Sequence, residues 1–299
     1  DLVAAAPDEL ALQAKPFELI HCANCAIMYT HPHLDVEAVA PYYASGYWYY
    51  VAQDIHPIMA FIKKMEQQFI FAQVRWETRI IKQWLPSNAK LLDVGCSTGV
   101  ILQVLDRAGF DVYGVEVSEE ATIQAQAIFG DKIRQGTIED SQFSGNYFDG
   151  VTFIHVLEHV QNPKTTLQET HRIMKPGGML LIEVPNVESL GFHLFGLRWM
   201  GLQMPRHLYH FSDQSLTTLL EECGFVVEYR SFYSVRVSSP IYVIGLFPFL
   251  DPARLREESN TNPLLSFLYL ILYLVFIPIA VLASRPQRGE VLRFIASKS

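Results

Sequence analysis

The chain lacks several features that would have settled its class at once. Four cysteines, Cys22, Cys25, Cys96 and Cys223, are too few and too scattered among 299 residues for a disulfide scaffold. No charged-then-apolar secretory leader opens the sequence, so a reducing, cytoplasmic setting is expected. Positive charge is scarce: 23 Lys and Arg stand against 31 Asp and Glu, a formal net charge of -8. Phosphate binding needs a basic face, and none is legible, so nucleic acid is not expected as a partner. Apolar residues, by contrast, make up half of the chain, enough for a substantial core.

Near the start, His21-Cys22-Ala23-Asn24-Cys25 has the Cys-x-x-Cys spacing of a zinc knuckle, followed by Ile27-Met28-Tyr29 and by His31 and His33. Tetrahedral zinc needs four N or S ligands. Only two cysteines are present, and although the two histidines could complete a set, a hairpin turn without metal is the favoured reading. The next stretch is rich in tyrosine (Tyr42, Tyr43, Tyr47, Tyr49, Tyr50, with Trp48), which suits a substrate wall or a domain cap. From Pro57 to Leu85 apolar residues recur at helical spacing, among them Met59, Ile62, Met65, Phe69, Ile80 and Trp84, which predicts an amphipathic helical arm.

The chain is organised around Lys90-Leu-Leu-Asp93-Val-Gly95-Cys96-Ser97-Thr98-Gly99-Val100. It reads as a strand that stops at a glycine turn and feeds a helix, a turn that lets a ligand approach the backbone. Strands and helices then alternate: a strand Asp111 to Val117, a helix capped by Ser118, a short strand Lys132 to Arg134, a strand Phe148 to Ile154, a helix Pro163 to Met174 and a strand Met179 to Val184. A helix from Ser212 to Cys223 and a strand Phe225 to Val235 follow, and Glu290 to Ala296 is the last strand. This alternation predicts an α/β, Rossmann-like doubly wound sheet of seven strands with the last strand antiparallel.

Between the last two strands lies an apolar insertion. Leu264 to Ala283 carries no charge and, at about 20 residues, has the length of a membrane span. Pro240 to Leu250 is a shorter apolar run; Arg254 and Arg256 precede the long run, and Arg285 and Arg288 follow it. Because the chain returns to the sheet afterwards, a single crossing is topologically excluded. The insertion then reads either as a monotopic attachment, with arginines at lipid headgroups, or as an apolar lid or dimer interface.

Asp93-x-Gly95-x-Ser97-x-Gly99 does not have the dinucleotide spacing Gly-x-Gly-x-x-Gly. Glu116, about 20 residues downstream at a strand end, stands where an acid can accept both hydroxyls of a ribose. With Gly114-Val-Glu116-Val117-Ser, Gln135-Gly-Thr137-Ile138-Glu139-Asp, Tyr147-Phe-Asp-Gly-Val-Thr-Phe-Ile-His155-Val-Leu-Glu158-His159-Val, Arg172-Ile-Met-Lys-Pro-Gly-Gly178 and Pro205-Arg-His207-Leu-Tyr-His210-Phe, the chain resembles a class I S-adenosylmethionine-dependent methyltransferase from about Lys90 to Phe225. The resemblance implies S-adenosylmethionine as cofactor. It implies that Asp93, Gly95, Cys96, Ser97 and Gly99 hold its methionine end, Glu116 and Val117 its ribose, and Thr137, Ile138 and Glu139 its adenine, with His155 lining the site. Thr137 stands where the family often has an aspartate. The Cys22–Cys25 stretch resembles a zinc-ribbon leader of some relatives, but their second cysteine pair is absent, so zinc is not expected.

An oxygen or nitrogen acceptor must also lose a proton, and histidine is the side chain best poised for that near neutral pH. His155, His159, His207 and His210 are the candidate bases. The bland alternatives are that His159 pins a helix and that His207 and His210 brace the loop before Ser212. The expected organisation is an N-terminal cap over 1–85, a cofactor-binding core over 86–235, the apolar insertion over 236–289 and the last strand over 290–299. The expected function is O-methylation of a lipophilic or membrane-presented acceptor, such as a lipid, quinone, polyketide or lipid-linked glycan. A soluble small-molecule methyltransferase with an apolar lid and a membrane-bound scaffold without turnover are the alternatives.

Overall fold

A computed structural model describes residues 1–6, 16–43, 78–251, 263–285 and 287–299. Tyr47, Trp48, Tyr49 and Tyr50, the amphipathic arm before residue 78, and Arg254 and Arg256 lie outside the described residues. Of the arm, 78–84 is helical. The chain divides into two compact units, one of Asp1–Ile70, Pro185–Asp213 and Phe232–Leu292, the other of Phe71–Val184, Gln214–Ser231 and Arg293–Ser299. The stretch Pro185–Asp213, which the sequence division kept within the core, groups with the first unit.

The second unit is built on the seven-stranded sheet. Its strands are β4 (Lys90–Val94), β5 (Asp111–Glu116), β6 (Ile133–Gln135), β7 (Phe148–Ile154), β8 (Met174–Pro185), β10 (Phe225–Ser231) and β11 (Val291–Lys298), in the order β10-β11-β8-β7-β4-β5-β6. β4 pairs in parallel with β5 and β7, β5 with β6, and β7 with β8, whereas β10 and β11 are antiparallel. The chain moves outward from β4 to β6 and then returns to lay β7 on the other side of β4. That reversal makes a switch point, and ligands of open α/β sheets bind outside the carboxyl ends of strands at such a point. Leu91, Leu102, Leu105, Val112, Leu181 and Ile295 form the core beneath it.

Three boundaries differ from the sequence expectation. β8 begins at Met174 rather than Met179, and its pairing with β7 jumps from Phe148–Met174 to Gly150–Met179, so Lys175-Pro-Gly-Gly178 is taken up as an irregularity within the strand. The strand expected over Phe225 to Val235 ends at Ser231, and a helix, Val235–Leu246, follows with Pro240 inside it. The last strand runs to Lys298.

The first unit holds a four-stranded antiparallel sheet that the sequence reading did not anticipate: β1 (Leu2–Ala6), β2 (Phe17–His21), β3 (Met28–His31) and β9 (Tyr209–His210), in that order. Cys22 to Cys25 forms the turn between β2 and β3, and both thiols are free. The apolar insertion belongs to this unit. The helix Val235–Leu246 packs along the helix Pro263–Ala283, with Tyr242 and Phe276 stacked at 6.4 Å between ring centroids. Among the described residues no helix is long and apolar enough to cross a membrane.

One buried acid ties this unit together. Glu290, 1% exposed, accepts hydrogen bonds from the Tyr242 hydroxyl at 2.7 Å, the Trp199 indole N–H at 2.9 Å and the Gly191 N–H at 2.8 Å. Ser189 donates as well. A Cβ on Gly191 would lie 2.5 Å from the carboxylate, so only glycine admits this approach. Burial pushes the Glu290 pKa up, and the four neutral donors act against that. The carboxylate thereby joins the loop around Trp199, the first insertion helix and the approach to β11. Tyr242→Phe should lower the unfolding free energy by about 1.5–3 kcal/mol, the range for a hydrogen bond to a charged group, measured by chemical denaturation.

Candidate active site

At the carboxyl end of β4, three residues within five adopt left-handed backbone: Gly95 at φ 71°, Ser97 at φ 54° and Gly99 at φ 79°. A Cβ on Gly95 would lie 2.5 Å from a methyl of Val156, so the turn packs directly on the segment that follows β7. Ser97 carries a Cβ, and the left-handed region costs such a residue roughly 1–2 kcal/mol. Its N–H donates to a Glu116 carboxylate oxygen at 2.9 Å, which offsets that cost. The other Glu116 oxygen accepts from the Ser118 N–H at 2.8 Å.

These bonds define what the turn can bind. The N–H groups of Gly95 and Cys96 both point to the Val115 carbonyl, at 2.8 and 3.1 Å, and that of Gly99 points to the Cys96 carbonyl. Ser97 is committed to Glu116, so a carboxylate stands beside the turn. That negative charge disfavours a phosphate at this place. Each Glu116 oxygen retains acceptor capacity beyond its one backbone bond, which fits a vicinal diol.

The remaining expected cofactor residues fall into two groups. Asp93 is 2% exposed and accepts from the Thr152 hydroxyl at 2.6 Å, so its carboxylate is fixed between β4 and β7. Cys96 is buried with its sulfur against Gly114, and burial, with Asp93 and Glu116 nearby, pushes its thiol pKa up. Its side chain is core, leaving only its backbone to line the turn. Ile138 is likewise buried at 1% exposure. Val117 is exposed beside Glu116. Thr137 donates to Asp140 at 2.8 Å, and Glu139 accepts from Thr166 at 2.6 Å, so both are held locally.

His155 follows β7 in left-handed backbone at φ 56°. Its Nε2 lies 3.1 Å from Glu183 and its Nδ1 3.4 Å from Glu158, both carboxylates 1% exposed. The other Glu183 oxygen accepts from Nε of Arg293, itself 1% exposed, at 2.6 Å. Both ring nitrogens thus face carboxylates. Burial alone would lower the His155 pKa; its bonds to Glu158 and Glu183 outweigh that and push it up to about 9. Held between these carboxylates, His155 favours its imidazolium form near neutral pH.

His159 is half-buried and its N–H closes the turn onto Val156. His207 and His210 belong to the first unit, and each is described there. Thr30 gives its only hydroxyl proton to the His207 carbonyl at 2.7 Å, so the contact at 3.1 Å with Nε2 of His210 must be donated by the histidine. His210 is thus a brace for that sheet. Nδ1 of His207 lies 2.8 Å from the Gly201 carbonyl, which fixes its proton on Nδ1.

Sequence reasoning missed Thr152, Glu183 and Arg293. The signal was present: an acid inside the apolar strand Met179 to Val184 and an arginine inside Val-Leu-Arg-Phe-Ile, each costly to bury unless paired.

Residues 67–229, more than half of the chain, match the family model described as a methyltransferase domain. The chain belongs to the S-adenosylmethionine-dependent methyltransferase family. O-methyltransferase resE of Aspergillus sclerotiorum is 32% identical to this methyltransferase over 169 residues, 50% of this chain and 60% of that protein. A ubiquinone biosynthesis O-methyltransferase of Maricaulis maris is 31% identical over 186 residues, 58% of this chain and 68% of that protein. The chain thus spans well under the full length of both relatives. The crystal structure of an S-adenosylmethionine-dependent methyltransferase from Archaeoglobus fulgidus superimposes with a TM-score of 0.50 at 20% identity, covering 81% of this chain and 100% of that one, a likeness of fold. A glycine turn with an acid beside it suits the cofactor of this family, which has a ribose and a methionine but no phosphate.

Because the folded pKa of His155 lies above its ordinary 6.5, the stability its imidazolium contributes is complete below about pH 6.5 and is lost as pH rises through about 9. An NMR titration of the imidazole should show a midpoint near 9, and His155→Gln should remove that part of the pH dependence of stability. A midpoint near 6.5 would contradict the assignment.

Proposed function

We propose that this methyltransferase methylates a hydroxyl oxygen on a lipophilic, quinone-type acceptor. The observation that carries the reading is that two relatives above 30% identity are both O-methyltransferases, one of them in ubiquinone biosynthesis. The apolar insertion supports a greasy acceptor, and we read it as a monotopic contact with a membrane rather than as a lid. When bound, S-adenosylmethionine supplies a methyl group already activated on a sulfonium.

The chain's own residues then bind, align and remove a proton. Glu116 accepts the ribose hydroxyls, with Val117 beside it. Asp93 and the backbone of Gly95 to Gly99 hold the methionine end. Thr137, the backbone of Ile138, and Glu139 border the adenine. His155, kept cationic by Glu158 and Glu183, sets a fixed positive charge at the end of β7, where it favours an acceptor oxygen that is losing its proton. His159, in the same unit, is the candidate base.

Calorimetry with S-adenosylmethionine tests the cofactor reading. Glu116→Ala should weaken binding by about tenfold or more, because two hydrogen bonds to a charged group are lost. An unchanged affinity would remove Glu116 from the cofactor site, and no binding by the wild type would favour a scaffold without turnover. His159→Ala should lower kcat more than cofactor affinity, by about 10²–10⁴-fold for a true base. A labelled-methyl screen against lipid extracts and soluble phenols identifies the acceptor; label appearing only on nitrogen or carbon would overturn O-methylation.

A further inference from the structure

We propose that one face of the helix Pro263–Ala283 lies in the surface of an anionic phospholipid bilayer, with Arg285 and Arg288 at the headgroups. This deepens the acceptor reading above and rests on it, since a lipophilic acceptor is met where it dissolves. The helix is uncharged along its length and has two distinct faces. Tyr273 and Ala280 are buried, with Phe276 beside them stacked on Tyr242 of the neighbouring helix. Opposite, Leu264, Phe267, Leu268, Ile271, Leu274 and Val275 are exposed, and the stripe continues to Leu282. At 100° per residue these positions fill a single arc of roughly 120°. Leu264 is 75% and Leu282 70% exposed, so the stripe is open from end to end.

So long an apolar face calls for a cover. A protein partner would meet about one hydrogen bond per 100–200 Å² of interface, and the stripe offers no hydrogen-bonding side chain among these positions. A bilayer requires none. Just beyond the last turn of the helix, Arg285 and Arg288 are exposed, a local pair of cations on a chain of net charge -8. Such a pair acts within a Debye length, which matches anionic headgroups and is insensitive to the distant acids. Because the chain returns from this helix to the strand Val291–Lys298, we place the helix in the plane of the interface rather than across it.

The test is flotation of the full chain with vesicles of phosphatidylcholine containing about one third phosphatidylglycerol, against pure phosphatidylcholine. Wild type should float with the anionic vesicles. Ile271→Glu combined with Leu274→Glu should reduce partition more than tenfold on both, with thermal stability and S-adenosylmethionine binding retained. Arg285→Ala with Arg288→Ala should reduce it about tenfold on anionic vesicles and little on neutral ones. Absence of flotation, or flotation unaffected by the glutamates, overturns the proposal. So does a stable dimer in light scattering that the glutamates dissolve, since a second copy would then cover the stripe. Flotation involves no chemistry, so docking that survives while quinone-type acceptors go unmethylated refutes the acceptor reading alone, and the reverse result refutes docking alone.

Discussion

The methyltransferase unit depends on the carboxylate of Glu183. It sits near the carboxyl end of β8, accepts from Arg293 on β11 and faces His155 just past the end of β7, so three neighbouring strands meet at one buried acid. Unpaired, such a charge would cost several kcal/mol. With its partners it fixes the level at which β7 stops, and therefore where His155 turns out of the sheet and where Val156 comes to rest on Gly95. The glycine turn inherits its position from that stop. The electrostatics of the site begin in the sheet, with groups that do not themselves meet a ligand.

The parts of the fold set by local chemistry were legible in the residues. An apolar run closed by glycine marked β4, Ser118 caps its helix through its side-chain oxygen, and the alternation of strand and helix implied the parallel order. Glu116 was readable because it stands at a strand end a fixed distance beyond a glycine turn. What was not legible depended on partners far away in the chain. β1 and β9 are short strands without sustained alternation, and β9 exists because Met28 and Tyr29 pair with it. The charge state of His155 required knowing that Glu183 is opposite it, 28 residues away. The extension of β8 across Lys175-Pro-Gly-Gly178 went against residues that ordinarily mark a loop, because Phe148 on β7 offers Met174 a pairing partner beyond them.

Fold and chemistry stand on different footings here. The sheet and its switch point place a ligand at the carboxyl ends of β4, β5 and β7, and this holds for many proteins of unrelated activity. Narrowing comes from a smaller feature, a carboxylate at position 116 that takes the Ser97 N–H and sets a negative charge beside the glycine turn. That charge favours a ligand with hydroxyls to donate over one that is itself an anion.

Glu290 has a consequence for how the insertion responds to its surroundings. Its partners are a phenol, an indole, a serine and a peptide N–H, none of them an ion, and all are shielded from solvent. Dissolved salt has little to screen in such a set. The hold of the protein on its own apolar helices is therefore indifferent to ionic strength, whereas the proposed attraction of Arg285 and Arg288 to headgroups would fade as salt is added. On that proposal the molecule separates a permanent internal anchor from an adjustable external one, and the surroundings would alter what the helix rests on without altering how the helix is held.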